Sequence, residues 1–209
     1  MIRHRKPTVL VLLGSPRKRG NSALLAAQIA SGAKRAGATI STVFLHGLQI
    51  QPCRGCWKCR KAGSTGCAIQ DDMQPVYQQM VAADAWVIAS PVYWFTVSAQ
   101  TKLWMDRCLA LPAYGNDPFA GKRIAIALTY GGQDIIDSGG VNALRTFQDA
   151  YRYTGSTLVG MVYGSAMDAG AIRKNRAVMK AAQDLGKELV TGIAPAEPNG
   201  RRAAPGSLP

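Results

Sequence analysis

The sequence predicts an α/β domain with a doubly wound, five-stranded parallel sheet in the order 2-1-3-4-5 and helices on both faces. Two observations lead to this prediction. Five short apolar segments alternate with helical patterns along the 209 residues, as expected for βαβ units. The first segment, 8–13, is apolar at nearly every position, as a strand buried on both faces of a parallel sheet is. Right-handed crossovers then leave few topologies, and the order 2-1-3-4-5 fits five strands.

Local patterns place each element. The strands are predicted over residues 8–13, 39–45, 86–90, 124–129 and 157–163. Helical patterns predict helices over 22–36, 97–111, 141–154 and 169–190. A further helix is expected to begin at Asp71-Asp72-Met73, because Asp is a favoured N-cap residue.

Composition divides the chain into three parts. Residues 1–7 form a basic N-terminal arm, 8–191 form the domain, and 192–209, rich in Pro, Gly, Ala and Arg, are expected to be a disordered tail. No run approaches the roughly 20 apolar residues that span a bilayer. The first apolar run leads into the sequence GSPR at 14–17 rather than into a small-residue cleavage site, so we expect no secretory signal and a cytoplasmic protein.

The chain is strongly basic, with 25 Lys and Arg residues against 12 Asp and Glu and a formal net charge of +13. Such a charge favours anionic partners, which include nucleic acids, phosphorylated cofactors and acidic proteins. A basic nucleic-acid-binding module therefore stays open as an alternative. Against it, the basic residues are dispersed along the chain, and no helix-turn-helix, zinc-finger or RRM signature is present.

The loop after the first strand is a candidate anion site. Residues 14–22 read GSPRKRGNS, which places small hydroxyl and amide side chains directly before a helix. Such side chains hydrogen-bond phosphate, and a helix N-terminus adds unpaired N–H groups and the positive end of its dipole. An ordinary tight turn before a capped helix is the alternative. The loop contains neither G-x-G-x-x-G nor G-x-x-x-x-G-K-[ST], so two common nucleotide motifs are absent.

Two further loops follow the third and fourth predicted strands. Residues 90–96 read SPVYWFT, and the three consecutive aromatic side chains could wall a planar ring or pack beneath the next helix. Residues 129–132 read TYGG, whose glycines let the backbone approach a ligand closely. In a doubly wound sheet the ligand lies outside the carboxyl ends of the strands. One phosphate cradle and two ring-contacting loops suit a mononucleotide with a large planar head.

These motifs carry a family resemblance. GSPR at 14–17 with GNS at 20–22, and SPVYW at 90–94, match the flavin loops of the NADPH-dependent FMN reductase branch of the flavodoxin-like superfamily. The chain resembles that branch over roughly residues 8–190. The resemblance implies a flavodoxin-like FMN-binding domain at 8–191, NAD(P)H as electron donor, and a homodimer or homotetramer. It assigns the FMN phosphate to Ser15, Arg17, Asn21 and Ser22. It assigns the isoalloxazine ring to Pro91, Val92, Tyr93, Trp94, Tyr130, Gly131 and Gly132.

Four of the five cysteines lie in the long predicted loop 46–70, spaced C-x2-C-x2-C-x7-C, at Cys53, Cys56, Cys59 and Cys67. Clustered thiols in a reducing compartment favour metal or redox chemistry over structural disulfides. The spacing resembles that of the iron-sulfur flavoproteins, which implies a 4Fe-4S cluster, and short C-x2-C steps suit Fe–S ligation. Zinc or free, redox-active thiols remain alternatives.

Two further features concern the cysteines. Four basic residues lie among them, at Arg54, Lys58, Arg60 and Lys61. Positive charges would lower the pKa values of the thiols, and they would equally offset an anionic cluster. The fifth cysteine, Cys108, follows Trp104 by four residues on an apolar helix face and is expected to be a core residue.

The predicted function is that of an FMN-dependent NAD(P)H oxidoreductase, in which the flavin carries the chemistry and the protein positions it. The expected acceptor is a quinone, a free flavin or another molecule, with electrons passing through the cluster if one is bound. An iron-sulfur flavoprotein that carries electrons with ferredoxin is the main alternative. No general acid or base is predicted. Tyr93 and Tyr130 are only positional candidates, and His4 and His46 are expected at the surface.

Overall fold

A parallel sheet forms the centre of the structure, a computed structural model that describes residues 5–115 and 117–192. The strands are β1 (Thr8–Leu13), β2 (Thr39–Phe44), β3 (Ala85–Tyr93), β4 (Thr96–Val97), β5 (Arg123–Tyr130) and β6 (Thr157–Ser165). The five long strands are parallel and lie in the order β2-β1-β3-β5-β6, which confirms the predicted order 2-1-3-4-5. The short strand β4 pairs antiparallel with the end of β3 and was not predicted.

Helices cover both faces of the sheet, as predicted. They are α1 (Asn21–Arg35), α2 (Met73–Ala82), α3 (Ala99–Arg107), α4 (Gly140–Tyr153) and α5 (Arg176–Thr191). Helices α1 and α5 pack on one face, and α2, α3 and α4 pack on the other. Side chains of β1 alternate between the two layers, with Leu10 and Leu12 on the α2–α4 side and Val9 and Val11 on the other.

Helices α1 and α5 approach each other at two glycines. A Cβ atom on Gly32 would collide with the carbonyl oxygen of Gln183, and one on Gly186 would collide with that of Ile29. Absence of a side chain at these two positions therefore allows the backbones to touch. This contact holds α1, whose first turn lies at the carboxyl edge of the sheet, firmly against the rest of the domain.

Two helices start or end differently from the prediction. Helix α3 ends at Arg107, and the chain continues as a 3-10 turn, Cys108–Tyr114, that contains Pro112. Helix α5 begins at Arg176 rather than at 169, because the side chain of Asn175 accepts a hydrogen bond from the backbone N–H of Val178 and caps the helix there. Both differences arise at ends, where local periodicity carries little information.

The start of α2 lies where it was expected, but its acidic residues act differently. Asp72 occupies the N-cap position and makes no capping bond, because its carboxylate accepts from the backbone N–H of Gln49 at 2.8 Å. Asp71 accepts from the N–H groups of Met73 at 3.1 Å and Gln51 at 2.8 Å. The two carboxylates therefore fasten the cysteine-containing loop to the helix.

Some of the predicted features lie in the terminal residues of the chain. Residues 1–4, with His4, and residues 193–209 of the predicted tail lie outside the described residues. His46 is exposed, as predicted, and its Nδ1 lies 3.2 Å from Nε2 of Gln100. Across residues 5–115 and 117–192, no helix combines the length and the hydropathy that a bilayer crossing requires.

Candidate functional site

Three loops meet at the carboxyl edge of the sheet. Leu13 at the end of β1 pairs with Ala89 of β3, and β3 pairs in turn with β5. The loops that leave these strands comprise residues 14–20, 94–95 and 131–139. They converge at the position where a doubly wound sheet binds its ligand.

The first loop ends at an open helix N-terminus. The hydroxyl of Ser15 is buried and accepts from the backbone N–H of Arg17 at 3.0 Å, and the N–H of Gly20 donates to the carbonyl of Arg17 at 2.9 Å. Helix α1 then begins at Asn21 without a side-chain cap and without an acidic residue in its first turn. Its first N–H groups are therefore free of a side-chain acceptor, and the guanidinium of Arg17 is exposed nearby in the chain.

Two predicted phosphate ligands differ in their surroundings. The side-chain amide of Asn21 donates to the carbonyls of Ala166 at 3.0 Å and Asp168 at 2.8 Å, and its oxygen accepts from the N–H of Ile172 at 3.4 Å. Asn21 thus holds the loop after β6 against α1. Ser22 is buried at the second position of α1.

A buried hydroxyl network joins the first loop to the segment after β3. Ser98 Oγ lies 2.6 Å from the carbonyl oxygen of Gly14 and donates to it. Ser90 Oγ accepts from the N–H of Ser98 at 3.0 Å, and Ser98 Oγ accepts from the N–H of Thr101 at 3.3 Å at the start of α3. A Cβ atom on Gly14 would collide with Oγ1 of Thr101, so glycine is required there.

The predicted aromatic loop is in part a strand and in part a tight turn. Pro91, Val92 and Tyr93 belong to β3, and the two residues that turn the chain into β4 are Trp94 and Phe95. Their φ angles are +47° and +66°, a region that non-glycine residues rarely occupy and that Asn-Gly usually fills in such hairpins. Strained turns of this kind cluster at functional sites. The side chain of Trp94 is 91% exposed, so it is available to a ligand or to another chain.

Hydrogen bonds from the end of β6 and from the residue after it hold the third loop in place. The carbonyl of Tyr130 accepts from the N–H of Ala166 at 2.8 Å, and the carbonyl of Gly132 accepts from Ser165 Oγ at 2.5 Å. A Cβ atom on Gly131 would lie 3.0 Å from the methyl group of Met167, so the backbone passes close to that side chain.

The phenol of Tyr130 is a poor base in this site. Burial raises its pKa, and electrostatic repulsion from Tyr163 and Asp134 raises it further. At neutral pH Tyr130 therefore keeps its proton and can donate a hydrogen bond.

The third loop also contacts the hairpin. The side-chain amide of Asn142 donates to the carbonyl of Phe95 at 3.1 Å. Gly139 has a φ of +69°, and a Cβ atom there would come within 2.5 Å of the Phe95 Cα. Ser98 thus ties the first loop to the segment after the hairpin, and Asn142 ties the hairpin to the helix that follows the third loop. Asn21 holds the segment after β6, whose Ala166 also bonds to Tyr130. Such an edge, with an open helix N-terminus at one side and exposed aromatic rings at another, can hold a phosphate and a planar group at once.

The cysteine loop forms a second candidate site. Cys53 and Cys56 are exposed, Cys59 and Cys67 are half-buried, and all four line one concavity against the end of α3. Thiols are ligands that suit iron-sulfur clusters and zinc. In the parts of the chain that the structure describes, no three His, Cys, Asp or Glu side chains are arranged to hold a metal ion.

Cys67 is the most firmly held of these cysteines. Its N–H donates to the hydroxyl of Tyr114 at 2.9 Å, and its carbonyl accepts from the amide of Gln74 at 3.3 Å. Its Sγ accepts from Nη2 of Arg107 at 3.4 Å. The ring of Tyr114 stacks on that of Tyr77 with 4.4 Å between centroids, which fixes the hydroxyl that receives the Cys67 N–H.

Arg107 is buried to 99% and pairs with Asp71 through both terminal nitrogens, at 2.6 and 3.1 Å. Nη1 also donates to the carbonyl of Gln51 at 2.8 Å, whereas the buried Nε has no partner among the described residues. Burial alone would raise the pKa of the Asp71 carboxyl, but hydrogen bonds from Arg107, Gln51 and Met73 outweigh it and lower that pKa. The guanidinium therefore stays charged beside the cysteine loop.

The thiols do not all behave as the interleaved basic residues predicted. Burial, followed by the negative charge of Cys67, raises the pKa of Cys59, so the predicted lowering is wrong for this thiol. Cys108 packs against the core, as predicted, and its Sγ donates to the carbonyl of Trp104 at 3.4 Å. Burial raises the pKa of Cys108 well above its ordinary value.

Three residues of these sites were not identified from the sequence. Ser98 could have been found, because a serine before a helical pattern is an N-cap signal. Arg107 and Asn142 gave no such signal, because a polar residue on a helix is normally solvated. Only the contacts across the fold show that Arg107 is buried against Cys67 and that Asn142 reaches Phe95.

Comparison with known proteins supports the oxidoreductase interpretation. An iron-sulfur flavoprotein of Methanosarcina thermophila is 33% identical over 148 residues, which are 70% of this chain and 74% of that protein. One from Archaeoglobus fulgidus is 28% identical over 87% of this chain and 93% of its own length. The chain spans about half the length of some other iron-sulfur flavoproteins that it matches.

A solved structure and the sequence pattern of a protein family are also similar to this chain. The structure of an NAD(P)H:quinone oxidoreductase from Methanothermobacter marburgensis has the same fold, with a TM-score of 0.66 and 17% identity over 88% of this chain and 98% of that one. The sequence pattern of the NADPH-dependent FMN reductases matches residues 7–170. This match covers most of the chain and both flavin-loop motifs, so the chain belongs to the NADPH-dependent FMN reductase family of oxidoreductases.

Proposed function

We propose that the three loops at the carboxyl edge bind FMN and that this protein passes electrons from NAD(P)H to a quinone or another small acceptor. The observation that supports this most is that Ser98 and Asn142 bond the hairpin region to the elements on either side of it, beside the open N-terminus of α1. FMN, when bound, accepts hydride and releases electrons singly or in pairs. The chain itself binds the cofactor, orients it and limits its access to water.

The phosphate group is assigned to the first loop. Ser15 shapes the loop by accepting the N–H of Arg17, and Arg17 contributes an exposed positive charge. Ser22 offers a hydroxyl, and the first N–H groups of α1 offer unpaired donors. Asn21 contributes its backbone N–H and its position, because its side-chain amide is bonded to the loop after β6.

The isoalloxazine ring is assigned to the hairpin and the third loop. Aromatic side chains supply flat apolar surface, and the two glycines leave room for the ring. Tyr130, which keeps its proton, is proposed to donate a hydrogen bond to the ring. The residues assigned to the ring are Pro91, Val92, Tyr93, Trp94, Tyr130, Gly131 and Gly132.

Titration of the purified apoprotein with FMN tests this assignment. Arg17→Gln and Arg35→Gln each remove one exposed arginine, at the first loop and at the last turn of α1 respectively. We expect the Kd for FMN to rise at least tenfold for Arg17→Gln, because a charged hydrogen bond contributes about 1.5–3 kcal/mol. We expect a change within about twofold for Arg35→Gln. Absence of FMN uptake, or of NAD(P)H oxidation by the FMN-loaded protein, would overturn the proposal.

A quinone is the proposed acceptor. An NAD(P)H:quinone oxidoreductase shares the fold, and the exposed rings at the hairpin offer a planar apolar surface. Steady-state oxidation of NADH and of NADPH, measured with a benzoquinone, with free FMN and with dioxygen, would rank donors and acceptors. A quinone rate no higher than the dioxygen rate would exclude this acceptor.

For the cysteine loop we propose a 4Fe-4S cluster held by Cys53, Cys56, Cys59 and Cys67. All four thiols line one concavity, and the soft donor set suits iron and sulfide. Several relatives are named iron-sulfur flavoproteins. A cluster supplies one-electron transfer. The chain's part would be to bind it and to limit its exposure.

Anaerobic reconstitution with iron and sulfide tests the cluster. Cys67→Ser removes a proposed ligand, whereas Cys108→Ser removes a thiol bonded to the carbonyl of Trp104. We expect about four iron atoms per wild-type chain and per Cys108→Ser chain, and a large loss for Cys67→Ser. Zinc without sulfide in the wild type would favour the zinc alternative, and no metal would favour redox-active thiols.

Electron transfer with ferredoxin is a second candidate function. Four exposed basic residues surround the cysteines, at Arg54, Lys58, Arg60 and Lys61, and an acidic protein would be attracted to them. We expect Lys58→Glu to slow reduction by an acidic ferredoxin at low salt and Lys187→Glu, on α5, to leave it unchanged. Equal rates for both variants would exclude this surface.

A homodimer or homotetramer is also proposed. Apolar side chains are exposed beside the flavin loops, including Trp94, Phe95, Ile136 and Val141. Exposed apolar side chains that gather into a patch are typical of an interface. Sedimentation analysis of the wild type and of Ile136→Glu would test it, and a monomeric wild type would overturn it.

The limits of the domain and the cellular location of the protein are also proposed. We propose residues 8–191 as the FMN-binding domain, with a basic arm at 1–7 and a tail at 192–209. Cytoplasmic location is supported by the five cysteines, all of which are free. The nucleic-acid-binding alternative is not favoured, because the family is one of oxidoreductases.

A further inference from the structure

We propose that Arg107 is a positioning residue of the cysteine site, which fixes Cys67 and makes one-electron reduction of the group held there more favourable. The inference rests on the cluster proposed above. It concerns a residue of α3 that lies 40 positions from Cys67 in the sequence and contacts it only through the fold.

Arg107 is buried and paired with a buried carboxylate. A guanidinium removed from water is costly unless it is paired, and Arg107 is 1% exposed at the last position of α3. Its main partner is Asp71, whose side chain is 4% exposed. The pair is bidentate, with Nη1 at 2.6 Å and Nη2 at 3.1 Å from the two carboxylate oxygens.

Arg107 also has N–H groups that do not bind Asp71. Arginine has five N–H groups, and Asp71 and the carbonyl of Gln51 account for three of them. A fourth donates to Cys67 Sγ at 3.4 Å. The fifth, on Nε, is buried and has no partner among the described residues. The bond to sulfur is therefore made in addition to the bonds that anchor the loop.

Arg107 lies beside the proposed cluster ligands. Arg107 lines the same concavity as the four cysteines. Cys67 is held there on two other sides, by Tyr114 at its N–H and by Gln74 at its carbonyl. The backbone of Cys67 is therefore fixed beside the guanidinium. The site thus presents a preorganised N–H donor to one sulfur of the proposed ligand set.

The chemistry follows from charge. Reduction adds one electron, which reduced flavin can supply, and one unit of negative charge to the thiolate-bound group. Hydrogen bonds to ligand sulfur and nearby positive charge both favour the more negative state and raise the reduction potential. No proton moves, because Arg107 keeps its proton in both states. Asp71 opposes the charge of Arg107, but it is an acceptor and cannot replace the N–H···S bond.

The test compares reduction potentials of full-length, anaerobically reconstituted variants. Arg107→Lys keeps the positive charge but loses the two-pronged guanidinium, which bonds Asp71 and Cys67 at once. The double variant Arg107→Met/Asp71→Asn removes the pair without leaving a buried charge unpaired. Arg145→Gln removes an exposed arginine on α4 and serves as control. Iron and acid-labile sulfide are measured for each variant. Potentials are measured by titration with dithionite, followed by electron paramagnetic resonance.

We expect the double variant to bind iron and to show at least a tenfold smaller equilibrium constant for reduction, which is about 59 mV for a one-electron couple. Arg107→Lys is expected between it and the wild type, and Arg145→Gln is expected to equal the wild type. An unchanged potential in the double variant overturns the role of Arg107 while the cluster stands. A wild type without iron and sulfide overturns the cluster, and this inference with it. If the double variant does not fold, a wild-type potential in Arg107→Lys overturns the inference.

Discussion

The hydroxyl of Ser98 donates a 2.6 Å hydrogen bond to the carbonyl oxygen of Gly14, across 84 residues of sequence. The same hydroxyl accepts from the N–H of Thr101 and caps α3. One buried atom therefore sets the spacing between the loop after β1 and the segment after the aromatic hairpin. These are the two loops proposed to hold opposite ends of FMN.

Substitution Ser98→Ala should weaken both the fold and the site. We expect the free energy of unfolding to fall by about 1–3 kcal/mol, because a buried carbonyl loses its donor and α3 loses its cap. We also expect the Kd for FMN to rise, because the two loops are no longer held together. Urea unfolding and fluorescence titration with FMN measure the two effects.

Ser156→Ala is the matched control for Ser98→Ala. Ser156 Oγ donates to the carbonyl of Phe119 at 3.1 Å, before β6 and far along the strand from the carboxyl edge. It should lose stability of a similar order without any change in the Kd for FMN. Equal FMN affinity in the two variants would show that the Ser98–Gly14 bond does not shape the site.

A pair of glycines separates backbone strain from steric clash. Gly139 and Gly155 have φ angles of +69° and +70°, but only at Gly139 would a Cβ atom collide with Phe95. Both alanine variants should lose roughly 1–2 kcal/mol of stability from the left-handed backbone. Gly139→Ala should lose more and should bind FMN more weakly, because the hairpin must move. Thermal unfolding and FMN titration of both variants decide this, and identical behaviour would contradict it.

We expect the turn residue Trp94 to lower the stability of the fold and to increase the affinity for FMN. Asn tolerates a positive φ better than Trp, so Trp94→Asn should leave the free energy of unfolding unchanged or raise it by about 1 kcal/mol. Loss of the ring should raise the Kd for FMN about two- to tenfold, as expected for the loss of one aromatic contact. Trp57→Asn is the control, because Trp57 is also exposed at a positive φ but lies in the cysteine loop. A less stable Trp94→Asn protein would contradict the strain argument.

The carboxylate of Asp84 should make stability dependent on pH. It accepts from Nη2 of Arg5 at 2.5 Å and from the N–H of Thr8 at 2.8 Å. Burial alone would raise its pKa, but the hydrogen bonds from Arg5 and Thr8 outweigh it and hold the pKa below its ordinary value of 3.8. Because the folded pKa is the lower one, the stabilisation is complete above the unfolded value and is lost as the pH falls through the folded value.

Asp84→Asn should therefore be less stable than the wild type by about 1–3 kcal/mol at neutral pH, and the difference should shrink in acid below 3.8. Urea unfolding across this range measures it. Asp149→Asn removes exposed ion pairs with Arg145 and Arg152 and should cost about 1 kcal/mol or less. A difference between Asp84→Asn and the wild type that stays constant with pH would contradict the linkage.

The sequence by itself determined the order of the parallel strands, the positions of the two flavin motifs and the grouping of four cysteines. Each of these rests on local information. Strand order follows from short apolar runs joined by right-handed crossovers, and motifs at strand ends meet because parallel strands end at one edge. The four cysteines fall within 15 residues, which assigns them to one loop.

Only the tertiary structure decided which polar side chains serve these sites. The bonds from Asn21 to Ala166, from Ser98 to Gly14 and from Arg107 to Cys67 join residues 145, 84 and 40 positions apart. Nothing in a local pattern distinguishes a buried arginine at the end of a helix from a solvated one. The difference comes from the loop and helix that close over Arg107 and remove it from water, and such burial is a property of the packed chain as a whole.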